Sequence, residues 1–135
     1  MYKYTHTIRV RYADTDQMGY VYYGHYARYY EEARSEAIRN LGLPYRDLEA
    51  SGVMLPITRM NIKYIQPAYY DDLLTVHAML PEMPHRFINF HYKIYNEAGK
   101  LLNEAETQLI FVDATTRRMT QAPPLLIEML KAYFV

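Results

Sequence analysis

Residues 4–12, YTHTIRVRY, alternate in polarity, with Ile8, Val10 and Tyr12 on one side and Thr7, Arg9 and Arg11 on the other. A period of two over this length predicts a half-buried strand. Residues 13–22 read as a loop around Gly19. From about Tyr23 to Leu41 the period changes. Tyr26, Tyr30, Ala33, Ala37 and Leu41 recur at steps of three and four, one face of a helix, and Glu31, Glu32, Arg34, Glu36 and Arg39 fall on the opposite side. Gly42 and Pro44 end the pattern. Two alanines on the inward stripe predict close approach to whatever the helix packs on.

Residues 44–51 suit a short helix beginning at Pro44. Four strand-like runs follow, at 54–66, 73–82, 86–95 and 101–112. Pro56 in the first calls for an edge or a bulge, and the third places Ile88, Phe90, Tyr92 and Ile94 on one face. A last amphipathic helix follows Pro123 and Pro124, with Leu126, Met129, Leu130 and Tyr133 at helical spacing. One long helix among four meander strands does not suit an alternating parallel fold. The order predicts an α+β domain over residues 1–135, with an antiparallel sheet of about five strands curled around one long central helix. Apolar groups on the sheet's other face suggest a second packing partner, most simply another subunit.

Composition narrows the function. Fifteen basic and fifteen acidic residues cancel, which argues against nucleic acid as a partner. The absence of cysteine removes disulfides, thiolate nucleophiles and Cys-based zinc sites. No apolar run approaches the ~18 residues of a membrane span, and the N-terminus lacks a signal-peptide core, so a cytoplasmic protein without membrane insertion is expected. Tyrosine is over-represented, at sixteen residues with no tryptophan. Its apolar ring and polar tip suit clefts and subunit interfaces.

The run RYADTDQMGYVYYGHYARYYEEAR, Arg11 to Arg34, resembles the N-terminal signature of hotdog-fold acyl-CoA thioesterases of the 4-hydroxybenzoyl-CoA thioesterase type. Tyr12, Asp14, Thr15, Asp16, Gly19, Val21, Tyr22, Tyr23, His25 and Tyr26 fill the pattern's places, and PAYYDDLLTV, Pro67 to Val76, resembles a second segment of that family. The resemblance implies a hotdog fold that assembles as a homodimer or homotetramer, with active sites at the subunit interface. It also implies hydrolysis of acyl-CoA thioesters without a metal or organic cofactor.

By that resemblance Asp16 takes the place of the catalytic carboxylate, either as base or as nucleophile. The Tyr23 N–H, at a helix start, takes the place of the donor that polarises the thioester carbonyl. His25 fills the position of a polar group that orients the carboxylate or the attacking water. Tyr22, Tyr26 and Met54 are candidates for the acyl pocket. His85 and Arg86 match a strand start where relatives bind the coenzyme A phosphates, with Arg59 and Lys63 as further cations. Asp14 reads as a turn or capping acid, with support of the catalytic acid as the second reading. Asp14 and Asp16 also spell D-x-D, a spacing seen at divalent-metal sites, but two acids alone make a poor ligand set and no metal is expected. Coenzyme A and acyl-carrier protein both remain open as the thiol carrier. Two other functions fit the chain: a dehydratase or hydratase on acyl thioesters, and a binding module that holds an acyl thioester without turning it over.

Overall fold

The computed structural model describes residues 1–43 and 45–135. Its long strands are β1 (Tyr2–Arg9), β3 (Ile57–Tyr64), β4 (Leu73–Leu80), β5 (Phe87–Tyr95) and β6 (Leu101–Asp113). Two-residue strands β2 (Val53–Met54) and β7 (Met119–Thr120) pair with the C-terminal end of β6. The helices are α1 (Tyr26–Asn40), α2 (Tyr45–Ala50) and α3 (Pro124–Leu130). The predicted start of the short helix at Pro44 lies outside the described residues.

The long strands lie in the order β1-β4-β5-β6-β3, every neighbouring pair antiparallel. Alternation dictates which side chains meet α1. Leu74, Val76, Ala78 and Leu80 of β4 are buried, as are Ile88, Phe90, Tyr92 and Ile94 of β5. Against them α1 presents Tyr26, Tyr30, Ala33 and Ala37, the predicted stripe, together with Tyr29 and Ile38. The larger of these side chains each contribute roughly 1.5–3 kcal/mol on full burial. The buried tyrosines also satisfy their hydroxyls, as low-dielectric surroundings require. Tyr30 donates to Asn103 Oδ1, Tyr92 pairs with Thr107 at 2.7 Å, and Tyr2 donates to the Ala37 carbonyl at 2.6 Å.

Several expectations need correction. The first strand stops at Arg9, and Tyr12 stands in a one-turn 3-10 helix (Tyr12–Asp14), 79% exposed. The run 54–66 is two strands, because Pro56 cannot join a ladder. Pro56 instead contributes its carbonyl, which accepts the Ile110 N–H at 3.1 Å, and the β3 register shifts between Ile57 and Arg59. Arg34 is not on a solvated face. It is only 5% exposed, on the turn of α1 after Tyr30. Tyr133 lies past α3 in a 3-10 turn and is exposed. The sheet face away from α1 is more polar than expected. Its cross-strand rows include His77–Lys93–Glu104–Lys63 and His91–Glu106–Asn61, beside Met79 and the Phe87–Ile110 pair, so apolar and charged groups share this face.

Candidate active site

The site forms where the chain leaves β1 and enters α1. Asp14 N–H donates to the Arg11 carbonyl at 2.9 Å, which closes the first 3-10 turn. A tighter turn follows: Asp16 N–H donates to the Tyr20 carbonyl at 3.1 Å, and Gly19 N–H donates to the Asp16 carbonyl at 3.0 Å. Gly19 has φ +82° there, a conformation that disfavours any residue with a Cβ. The returning segment is anchored to the residues after β3. Val21 N–H donates to the Ala68 carbonyl at 2.8 Å, and Tyr20 bridges Tyr69. A second 3-10 turn, Tyr23–His25, then leads into α1.

This path places Asp16 and Tyr23 on one cavity of about 410 Å³, with Tyr20, Val21, Tyr26, Tyr64, Ile65, Gln66 and Pro67. Asp16 is half-buried, and one carboxylate oxygen accepts the Met18 N–H at 2.8 Å. Among the described residues the Tyr23 N–H meets no acceptor, as expected for the first turn of a helix. Tyr64 donates its hydroxyl to the Tyr23 carbonyl at 3.3 Å, which ties the end of β3 to the helix start. Tyr26 is buried, accepts the Ala68 N–H at 3.4 Å, and its ring meets Tyr64 edge-on at 5.6 Å. Burial holds the Tyr26 hydroxyl above its ordinary pKa, so it stays a neutral hydrogen-bonding group. Chemically, the lining combines an acidic residue, a residue at a helix start with a free N–H, and several aromatic rings.

Asp14 points elsewhere. The residue is 5% exposed, and its side chain is paired with Arg28 and Tyr29. The two acids of D-x-D therefore serve different surroundings and do not converge as a ligand pair. Burial works to raise the Asp14 pKa, but the Arg11 N–H, the Tyr29 hydroxyl and the Arg28 guanidinium outweigh it and hold it below the usual carboxylate value.

The other sequence candidates are not brought to this cavity within one chain. Tyr22 and His25 are neighbours of Tyr23 but outside the lining, and the Tyr22 ring packs on Tyr23 at 4.5 Å and His25 at 5.7 Å. The His25 imidazole lies close enough to Asp14 to influence its ionisation. Lys63 precedes Tyr64 but projects to the opposite sheet face, 4.0 Å from Glu104. Arg59 pairs in register with Gln108, and Met54 with Val112. His85 and Arg86 precede Phe87, which is opposite Ile110, whereas Tyr64 at the cavity is opposite Asn103. Seven residues of β6 separate those positions, ~23 Å along an extended strand. Met54, Arg59, His85 and Arg86 therefore sit toward the far end of the sheet. No motif in the sequence points to Tyr64, Ile65 and Gln66, which reach the cavity only through the β3–β6 register.

A family model described as the thioesterase-like superfamily matches residues 10–132. YneP of Bacillus subtilis (strain 168) is 40% identical over 106 residues, 78% of this chain and 77% of that protein. The acyl-CoA thioester hydrolase YbgC of Escherichia coli O157:H7 is 36% identical over 106 residues, 78% of this chain and 79% of its own. Among solved structures, the DHNA-CoA thioesterase from Staphylococcus aureus superposes with a TM-score of 0.86 at 31% identity, covering 99% of this chain and 85% of that one.

Proposed function

This chain belongs to the thioesterase-like superfamily, and we propose that it hydrolyses acyl-CoA thioesters to a carboxylic acid and free coenzyme A at the Asp16–Tyr23 cavity. The observation that carries the reading is that Asp16 and Tyr23, a residue whose N–H has no acceptor among the described residues, line the same cavity. Thioester hydrolysis needs an attacking oxygen and a donor for the oxyanion that forms. Asp16 supplies the first, either by taking a proton from water or by attacking the carbonyl carbon directly. The Tyr23 N–H supplies the second. A fixed donor of this kind is worth about 3–4 kcal/mol in the transition state, and the adjoining helix start adds a favourable dipole. On the first route bond cleavage releases coenzyme A thiolate, which takes up the proton that Asp16 removed from water; on the second it leaves a mixed anhydride on Asp16, which water then hydrolyses to the free acid as the thiolate is protonated. Tyr26 and Tyr64 form the wall against which the acyl group rests. Tyr22 borders that wall from the exposed side, and His25 acts on Asp16 only indirectly, through the turn it shares with Tyr23.

The proposed unit of function is an oligomer. Among the described residues strand β3 is paired on one side only, to β6, and an unpaired edge is a template for another strand. Tyr23, Tyr64 and Ile65 of the cavity lining are large apolar side chains left exposed, as at surfaces that meet a partner. Antiparallel pairing of two β3 edges brings the far end of one sheet beside the cavity of the other. Met54, Arg59, His85 and Arg86 then approach the Asp16 of a second copy, where the cations meet the nucleotide phosphates of the substrate. An acyl-carrier protein presents the same carbonyl and is the second candidate donor. No helix among the described residues is long and apolar enough to cross a membrane, and the cytoplasm, where coenzyme A thioesters are used, is the proposed place of action.

The test is a panel of acyl-CoA and acyl-carrier-protein thioesters with detection of free thiol. Release from at least one thioester, reduced roughly 100-fold or more in Asp16→Asn, supports the reading. Thioester binding with no thiol release would identify a binding module instead.

A further inference from the structure

The geometry points to Asp14 as the positioning residue of this site, the one that fixes how far the Asp16 carboxylate stands from the Tyr23 amide. The inference rests on the hydrolase reading above and extends it to a side chain outside the cavity.

Asp14 joins three segments. Upstream, its Oδ2 accepts the Arg11 N–H at 3.1 Å. Downstream, its main-chain carbonyl accepts the Tyr22 N–H at 3.0 Å. On α1, Oδ2 accepts the Tyr29 hydroxyl at 2.9 Å and Oδ1 accepts the Arg28 guanidinium. Asp14 stands two residues before Asp16, and its carbonyl holds the residue just before Tyr23. Both reacting groups therefore hang from one clamp, by short lengths of chain. The clamp is well anchored: Tyr29 is fully buried, and the guanidinium of Arg28 lies 5.3 Å from the Tyr29 ring centre. A turn held only by Thr15, whose hydroxyl donates to the Tyr12 carbonyl at 2.7 Å, has no comparable tie to the helix.

A buried carboxylate with this many donors is costly to remove, so stability and positioning must be separated. In Asp14→Asn the amide oxygen can take the place of Oδ2 and keep the Arg11 and Tyr29 donors. The new NH₂ then faces Arg28, whose side chain is 51% exposed and free to turn toward water. Asp14→Ala loses every side-chain contact. Misplacement of about 1 Å in a reacting geometry is enough to cost of the order of 100-fold in rate.

The experiment compares wild type with Asp14→Ala, Asp14→Asn and Tyr29→Phe on the best thioester of the panel. The expected result is a kcat about tenfold or more lower in Asp14→Ala with KM changed by less than about threefold. Asp14→Asn recovers kcat to within about threefold of wild type, and Tyr29→Phe falls between the two. Should Asp14→Ala not fold, the order wild type, Asn, Phe carries the test. A purely structural Asp14 lowers the melting temperature of Asp14→Ala but leaves kcat per folded molecule at the wild-type value, and that result overturns the inference. The second measurement is independent of turnover. A crystal structure of Asp14→Ala, or of Tyr29→Phe, is expected to show the distance from the Asp16 carboxylate to the Tyr23 nitrogen altered by about 1 Å or more. An unchanged distance overturns the inference even if activity falls. Absence of thiol release by the wild type would instead reject the hydrolase reading and leave the distance to decide the role of Asp14.

Discussion

At residue 14 a carboxylate accepts from an arginine, a tyrosine and a main-chain amide, whereas at residue 16 the side chain accepts, among the described residues, only the Met18 amide and borders open space. The difference predicts a pH signature. The folded-state pKa of Asp14 lies below its ordinary value. Its contribution to stability is therefore present above the unfolded pKa of about 3.9 and is lost as pH falls through the lower folded value. Thermal melts of wild type and Asp14→Ala should differ most at neutral pH and converge below about pH 4; a gap that persists or grows in acid would contradict the charge assignment. Asp16, Tyr23 and Tyr26 are legible in the sequence because one contiguous run carries them. Tyr64 is not, because only strand register brings it to the cavity. Arg34 escapes a sequence reading for a different reason. Its charge and its place in an acidic stretch suggest solvent, and nothing local reveals the pocket beneath.

On helix α1, that arginine raises a question of energetics. Arg34 Nε and Nη1 are buried and meet no acceptor among the described residues. The side chain borders a cavity of about 380 Å³ with Glu31, Ser35, Glu49 and Leu55. The same side chain lies against the Tyr92 hydroxyl. A charge held out of water without full pairing is costly, so Arg34→Met is expected to be neutral or stabilising in chemical denaturation. A loss of more than about 3 kcal/mol would show instead that the Tyr92 contact and the packing of the guanidinium outweigh its desolvation. The turn before α1 makes the opposite demand. Gly19 is left-handed at φ +82°, and no atom lies within 4 Å of the place a Cβ would take. Gly19→Ala therefore meets backbone strain alone, and a cost of about 1 kcal/mol is expected from denaturant titration; no change would show that the turn relaxes freely. Element order, the α1 stripe and the inner face of β5 follow from periodicity, since side-chain direction repeats every 3.6 or 2 residues. The break at Pro56 and the ends of the strands do not, because hydrogen bonds to other strands set them.

Across the whole molecule, the sheet separates the cavity from Arg59, His85 and Arg86 by most of a strand length. Sequence reasoning groups these residues with Asp16 because it has no record of which end of a strand each occupies. Within one chain they cannot meet; between two copies paired through β3 they can. This predicts complementation. Asp16→Asn and Arg86→Ala homo-oligomers should each be impaired, while a mixture, unfolded and refolded together, should regain activity through hetero-oligomers holding one intact site. Failure to regain any activity, with mixing confirmed by native mass spectrometry, would place each site within one subunit. The proposed chemistry asks for less than the assembly: one carboxylate at the acyl carbon and one amide at the oxygen of the same carbonyl. Single-turnover release of coenzyme A from a bound thioester, wild type against Asp16→Asn at saturating enzyme, tests this most directly. Equal binding and a rate at least about 100-fold lower in the variant are expected; equal rates would remove Asp16 from the chemistry.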